Sequence, residues 1–283
     1  MIPPRQQWCI QIDVTNACPR ACSNCTRMLA HSRAPFFITV GQFEQAACAV
    51  RDFLTESEPD HDGRGKLIGM IGGEPLMHPQ FSSLAKIMAQ EIPDRRRRGL
   101  WTGLCLEGHA YGPLVRDTFG YLNQNLHRAE CVHQPVLVAV QDVIRDENRM
   151  WELIDACPLQ RKWSSAITPK GFFFCEVAAA MDVIFEGPGG LPVSPGCWRH
   201  DLADYRDQIE RWCPRCGVCL PLPGRRDDDS VDDISQSNLE ALRKLGSPRI
   251  RKGDYVVFDP NIYQEQHNRA TWQPLRYLRG SGQ

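Results

Sequence analysis

Trp8-Cys9-Ile10-Gln11-Ile12-Asp13-Val14-Thr15-Asn16-Ala17-Cys18-Pro19-Arg20-Ala21-Cys22-Ser23-Asn24-Cys25 is the stretch on which the fold turns. Its first half alternates, with Ile10, Ile12 and Val14 on one side and Gln11 and Asp13 on the other. That pattern predicts a β-strand over residues 8–14. Its second half carries Cys18, Cys22 and Cys25 in the spacing C-x3-C-x2-C. Three thiolates in one short loop suit a cubic four-iron cluster and leave its fourth iron without a protein ligand. The competing reading is zinc, which wants a closed set of four ligands, with His31 as the available fourth.

Working outward, Thr39 and Gln42 form a capping-box start for a helix. Phe43, Ala46, Ala47, Val50, Phe53 and Leu54 follow at helical spacing. Residues 66–71 read as a buried strand that ends at Gly72-Gly73. Pro79 opens a helix carrying Phe81, Leu84, Ile87 and Met88. Further on come a strand over 100–105, a helix over 113–122, a buried strand over 135–144 and a helix over 147–156. Strands alternating with helices predict an α/β fold with a parallel sheet, either an open sheet or an open barrel. Both architectures bind ligands at the carboxyl ends of their strands. The cysteine loop and Gly72-Gly73-Glu74-Pro75 each follow a strand directly, so they are expected to meet at that end.

The pattern changes near residue 160. Residues 162–168, the turn Pro169-Lys170-Gly171 and residues 172–177 read as a β-hairpin. A Gly/Pro-rich stretch, 187–196, leads to Cys213-Pro214-Arg215-Cys216-Gly217-Val218-Cys219. Residues 225–233 read as a charged turn or linker. A short helix over 237–245 stops at Gly246. The expected organisation is a core domain over 1–165, a small cysteine-rich annex over 166–250 and a C-terminal tail over 251–283.

The chain of 283 residues is 42% hydrophobic, enough for a sizeable core. A formal net charge of −1 gives no overall attraction to nucleic acid or to an acidic membrane surface. No run of about 18 apolar residues is present, and the first eight residues contain no apolar signal region. The expectation is a soluble protein of the cytoplasm with no membrane partner. Thirteen cysteines, an odd number, are many for such a protein. In a reducing compartment clustered thiols point to metal rather than disulfides. Cys9, Cys48, Cys105, Cys131 and Cys157 stand singly in apolar surroundings and read as inert core residues.

The cysteine loop after the first strand and the Gly72-Gly73-Glu74-Pro75 motif after the second, in this order, resemble the radical S-adenosylmethionine superfamily. The resemblance covers about residues 8–165. It implies a partial (β/α)6 open barrel in which Cys18, Cys22 and Cys25 hold a [4Fe–4S] cluster. It also implies that S-adenosylmethionine chelates the open iron, with Gly72, Gly73 and Glu74 receiving its amine. Thr102 and Gly103, past the third strand, are further cofactor contacts on the same grounds. Reductive cleavage of S-adenosylmethionine to a 5′-deoxyadenosyl radical, and hydrogen abstraction from a substrate carbon, are the implied chemistry. An electron donor such as a flavodoxin or ferredoxin is the implied partner. Where members of the family often carry an aromatic residue before the third cysteine, this chain has Asn24.

Gly171-Phe172-Phe173-Phe174-Cys175 resembles the hairpin-borne cysteine of the auxiliary-cluster annexes called SPASM or twitch domains. The resemblance implies one auxiliary [4Fe–4S] cluster. Its candidate ligands are Cys175, Cys213 and Cys216, with Cys197 and Cys219 competing for the fourth place. A structural zinc site on the C-x2-C pair is the alternative. Compact size and the lack of an evident peptide-binding region favour a small molecule or nucleotide-like substrate, nucleoside modification included. A peptide-modifying enzyme and a non-catalytic iron–sulfur or zinc protein are the competing readings. Arg95-Arg96-Arg97-Arg98 read as a solvated loop, or else as a phosphate contact for nucleic acid. His78, His133, Gln134, Gln141, Asp142, Lys170 and Glu176 are secondary candidates to face the site.

Overall fold

The structure, a computed structural model, describes residues 1–57, 65–125, 131–159 and 164–265. The expected tail beyond residue 265, and the start of the expected hairpin strand at 162–163, lie outside these. The strands are β1 (Cys9–Thr15), β2 (Leu67–Gly72), β3 (Arg98–Thr102), β4 (Tyr121–Gln124), β5 (Val132–His133), β6 (Ser164–Thr168) and β7 (Gly171–Phe173), followed by the short β8 (Arg225–Arg226), β9 (Asp232–Ile234) and β10 (Tyr255–Val257). Six of them form one sheet in the order β4-β3-β2-β1-β6-β7. All neighbours in it run parallel except β6 and β7, which form the antiparallel hairpin read from the sequence. The protein is thus an α/β fold on a mostly parallel sheet.

β1 sits in the middle, and every one of its residues is buried. Its alternation sorts its side chains between two clusters. Ile10, Ile12 and Val14 join a core with Phe43, Ala46, Ala47 and Val50 of α1 (Val40–Val50). The same core includes Phe81, Leu84, Ala85 and Met88. On the other face Cys9 packs with Trp8, Leu67, Trp101 and Tyr121. The capping box is present: Thr39 Oγ1 accepts from Gln42 N, and Gln42 Oε1 accepts from Thr39 N at 3.0 Å. A single turn, α2 (Phe53–Glu56), follows. Then α3 (Phe81–Glu91) lies against α1, and α4 (Gly112–Thr118) against α3.

Two departures concern strands. Residues 135–144 are not in the sheet. Val136, Leu137, Val138, Ala139 and Val140 are buried, yet the chain there makes one bridge, from Leu137 to Ile234, and the short helix α5 (Val140–Val143). Local partners satisfy its backbone: Gly217 N donates to Val136 O at 3.0 Å and Ser235 N to Leu137 O at 3.1 Å. A short apolar run reports burial, not extension. The fourth parallel strand is β4, aligned Leu100↔Leu122 on β3. It was hidden in the helical pattern of 113–122, of which the true helix ends at Thr118.

After α6 (Glu147–Asp155) the chain returns to the sheet's middle. β6 pairs with β1 from Cys9↔Ser164 to Ile12↔Ile167. The boundary expected at 165/166 falls inside this strand. Then come α7 (Glu176–Ile184), α8 (Arg206–Trp212), α9 (Gln236–Lys244) and α10 (Pro248–Lys252). No helix among the described residues is long and apolar enough to cross a membrane.

Candidate functional site

The loop bearing Cys18, Cys22 and Cys25 leaves the carboxyl end of β1 at a register shift. Asp13 aligns with Ile71 but Thr15 with Gly72, so one extra residue re-aims the chain. Asn16 closes the loop's base: its Oδ1 accepts from Phe36 N at 2.6 Å and its Nδ2 donates to Ser32 Oγ at 2.9 Å. The second motif packs directly on this base. Gly73 N donates to Thr15 O at 2.6 Å, and Glu74 N to Ala17 O at 2.7 Å. A Cβ on Gly73 would stand 2.1 Å from Ala17 O, and one on Gly72, where φ is +150°, 2.1 Å from Thr15 O. The glycines are required because two backbones touch, so in this arrangement the close approach is made by the cysteine loop itself.

Glu74 and the end of β3 come together as well. The Glu74 carboxylate is buried and accepts from Thr102 Oγ1 at 2.8 Å, Gly103 N at 2.8 Å and Leu76 N at 3.1 Å. Burial pushes its pKa up, and these three donors oppose the rise. Cys18 lies close enough to Glu74 to feel its charge. Burial, aided by Cys25 and Glu74, lifts the Cys18 thiol to about 11. Cys22 and Cys25 are also pushed up, first by burial. The three thiols feel one another's charge, although among the described residues no three His, Cys, Asp or Glu side chains are grouped closely enough to hold a metal ion.

The far side of the loop is clamped by residues that looked like a linker. Ser23 N donates to Asp227 O at 2.9 Å, and Val231 N to Ser23 Oγ at 3.0 Å. Asn24 has φ +48°, a conformation asparagine tolerates better than an aromatic residue. It is held through its N to Asp232 Oδ1 at 2.5 Å and through its Nδ2 to Asp233 Oδ2 at 2.8 Å. Asp232 is also ion-paired with Arg249 Nε at 3.0 Å and hydrogen-bonded to His31 Nε2 at 3.0 Å. Arg249 Nη1 donates to Ala21 O at 2.9 Å. His31 therefore spends both ring nitrogens on the clamp, Nδ1 on Ser247 Oγ at 2.9 Å, and is not free to be a zinc ligand. His78 is likewise structural, bound to Ile38 O at 2.8 Å and Gln80 N at 3.1 Å.

A second set of thiols meets below. Cys157, Cys175, Cys213, Cys216 and Cys219 line one small cavity. Leu159, Phe174, Val177 and Trp212 supply its apolar walls. Cys175 is the N-cap of α7; its side chain makes no capping hydrogen bond, but the nearby N–H groups of Ala178 and Val177 oppose the rise of its thiol pKa. Burial drives all four thiols of Cys175, Cys213, Cys216 and Cys219 upward, and Cys157 adds its charge to each. Cys197 is elsewhere, buried near Tyr205, whose hydroxyl donates to Cys197 O at 3.0 Å. Cys157, read from the sequence as an inert core residue, stands where Cys197 had been expected. Its only sequence signal was a position just ahead of the hairpin.

Two neighbouring residues hold the two sites. His133 Nδ1 donates to Ser23 O at 2.8 Å, and Gln134 Nε2 reaches Leu220 O at 2.6 Å and Val218 O at 3.1 Å. Of the other secondary candidates, Gln141 is exposed, while Lys170 and Asp142 have structural partners. Lys170 pairs with Asp182 and caps Gly187 O, and Asp142 Oδ2 accepts from Ser237 N at 3.0 Å. The arginine run begins β3, at the sheet end opposite the cysteine loop. Arg95 donates to Arg116 O at 2.5 Å, Arg97 to Lys66 O at 3.1 Å, and Arg96 pairs with Asp94. Arg95 and Arg96 are exposed as a solvated loop requires, whereas Arg98 is buried as the first residue of β3.

Between the sites, Glu176 is fully enclosed beside Arg27. Burial, working against Arg27 and Ser164, pushes its carboxyl up to about 7. The unfolded chain releases that proton near its ordinary value of about 4.3. The associated stability is therefore complete below about pH 4 and lost as pH rises through about 7. Denaturant midpoints measured from pH 5 to 8 are expected to fall more steeply for the unmodified protein than for Glu176→Gln. Parallel profiles for the two proteins contradict this assignment.

No protein-family model matches the sequence, and no curated protein matches it. Among solved structures the chain is similar to the crystal structure of BtrN in complex with AdoMet and 2-DOIA. The two are 13% identical, the match covers 74% of this chain and 92% of that one, and the TM-score is 0.42.

Proposed function

We propose that the chain is a radical S-adenosylmethionine enzyme with an auxiliary iron–sulfur cluster. The observation that supports this reading is that Cys18, on the loop it shares with Cys22 and Cys25, lies within electrostatic reach of the Glu74 carboxylate that holds Thr102 and Gly103 at the end of β3. In this reading Cys18, Cys22 and Cys25 hold a [4Fe–4S] cluster, and three protein ligands leave one iron for S-adenosylmethionine. When bound, the cluster and S-adenosylmethionine supply an electron and a 5′-deoxyadenosyl radical that removes hydrogen from a substrate carbon. The chain's own residues bind and orient. Gly72, Gly73 and Glu74 set the height of the cofactor floor, and Thr102 and Gly103 fix the direction of the Glu74 carboxylate. Asn16, Asn24 and Asp232 keep the loop in one shape.

Cys157, Cys175, Cys213, Cys216 and Cys219 are the donor set for the auxiliary cluster. They are thiols alone, soft ligands suited to iron–sulfur or zinc. The apolar wall around them excludes water, which suits a redox centre. In this reading the core unit extends through the β6–β7 hairpin to Phe173, and the annex and tail follow. The substrate is a small or nucleotide-like molecule, and the electron donor is of the flavodoxin or ferredoxin class.

Anaerobic reconstitution with iron and sulfide, followed by dithionite and S-adenosylmethionine, tests the reading. Uptake of about eight irons per chain, from two four-iron clusters, and formation of 5′-deoxyadenosine are expected. Cys22→Ala is expected to abolish the product. About four irons with one zinc would remove the auxiliary cluster from the reading, and product formation by Cys22→Ala would end it.

A further inference from the structure

Two cysteine-bearing loops far apart in sequence meet on one buried guanidinium. Arg27 lies two residues after Cys25, and Glu176 lies directly after Cys175. Arg27 Nη1 donates to the backbone O of Glu176 at 3.0 Å. Its Nη2 reaches Glu176 Oε2 at 3.3 Å and Asp13 Oδ1 at 3.4 Å, and donates to Gln11 Oε1. Ser164 Oγ completes the group by donating to Glu176 Oε2 at 3.0 Å. Arg27 is 6% exposed, Asp13 5% and Glu176 1%.

This is an expensive way to join two loops. Desolvating an arginine and two carboxylates loses several kcal/mol per ion before their attraction returns any. The network is also incomplete, because Arg27 Nε and Asp13 Oδ1 have no hydrogen-bond partner. A tether made of neutral groups already exists in His133 and Gln134. What a buried cation adds over a neutral tether is a field, and in a low-dielectric interior that field reaches far. Arg27 lies within electrostatic range of the sulfurs of both Cys25 and Cys175.

We propose that Arg27 is a positioning residue shared by the two cysteine sites, one fixed positive charge that raises the reduction potential of both. This rests on the reading that both sites hold iron–sulfur clusters. Reduction makes a cluster more negative by one charge, and a nearby cation favours that change. One guanidinium serving two centres favours it at both. Asp13 and Glu176 hold the guanidinium in place and set the size of its net field.

Redox titration of the reconstituted protein, with each cluster followed by its own electron paramagnetic resonance signal, tests the proposal. In Arg27→Met both midpoint potentials are expected to fall. In Glu176→Gln, measured above pH 7 where the carboxyl carries its charge, both are expected to rise. Arg27→Lys retains the charge and is expected to stay near the unmodified values, which separates charge from tethering. If Arg27→Met does not fold, the Glu176→Gln and Arg27→Lys pair decides. A shift confined to one cluster, or no shift at either, overturns the proposal while the two-cluster reading stands. An unmodified protein that shows a single cluster signal overturns the two-cluster reading, and the proposal with it.

Discussion

Asp232→Ala is expected to destabilise the protein by about 3–5 kcal/mol, the cost of breaking a buried ion pair by removing one partner. The carboxylate is 3% exposed and serves Arg249, His31 and the backbone N of Asn24 together. Without it the Arg249 charge stays buried with no counter-ion, and the Asn24 N–H has no acceptor. Asp232→Asn keeps the volume but not the charge, so most of the loss should remain. Asp228→Ala is the control. Asp228 pairs with Arg226 on the surface, and its loss should leave the unfolding midpoint near that of the unmodified protein. Urea unfolding of the three variants checks the order. A cost at Asp232 no greater than at Asp228 would show that the clamp does not hold the cysteine loop.

Gly73→Ala carries the second large effect. The added methyl would stand 2.1 Å from Ala17 O, and a backbone oxygen has no rotamer by which to move away. The hydrogen bonds from Gly73 N to Thr15 O and from Glu74 N to Ala17 O must lengthen or break. The stability loss is expected at or above the upper end of the roughly 1–3 kcal/mol typical of overpacking. Iron uptake at the Cys18 loop should fall with it. By contrast Gly41, within α1, has nothing within 4 Å of an added Cβ. Gly41→Ala should be stabilising by roughly 0.5–1 kcal/mol. Unfolding curves and iron content of the two variants form the comparison, and equal behaviour would contradict the backbone contact.

The parts of the fold that the sequence predicts correctly are those set by local forces. β1 alternates because its two faces meet different clusters, α1 is started by its own capping box, and the β6–β7 hairpin by its own turn. The cysteine loop and Glu74 were placed at one end of the sheet because each follows a strand. Features requiring distant partners were not legible. The apolar run 135–144 looks like a strand because burial and extension leave the same trace in composition. β4 is recognisable only beside β3. The charged stretch 225–233 looks solvated, yet Asp232 and Asp233 face a loop 208 positions away. Cys157 joins the thiol cluster through folding alone, and Cys197, which shares that cluster's neighbourhood in sequence, does not.

The clamp also sets the order of events during synthesis. Asn24 awaits Asp232, and Ala21 awaits Arg249, 228 positions downstream. At roughly 5–20 residues per second, the ribosome leaves the three loop thiols without their final cover for on the order of tens of seconds. In that interval they are open to oxidants and to stray metal ions. Iron–sulfur loading of the nascent chain is therefore expected to be poor, and loading after release efficient.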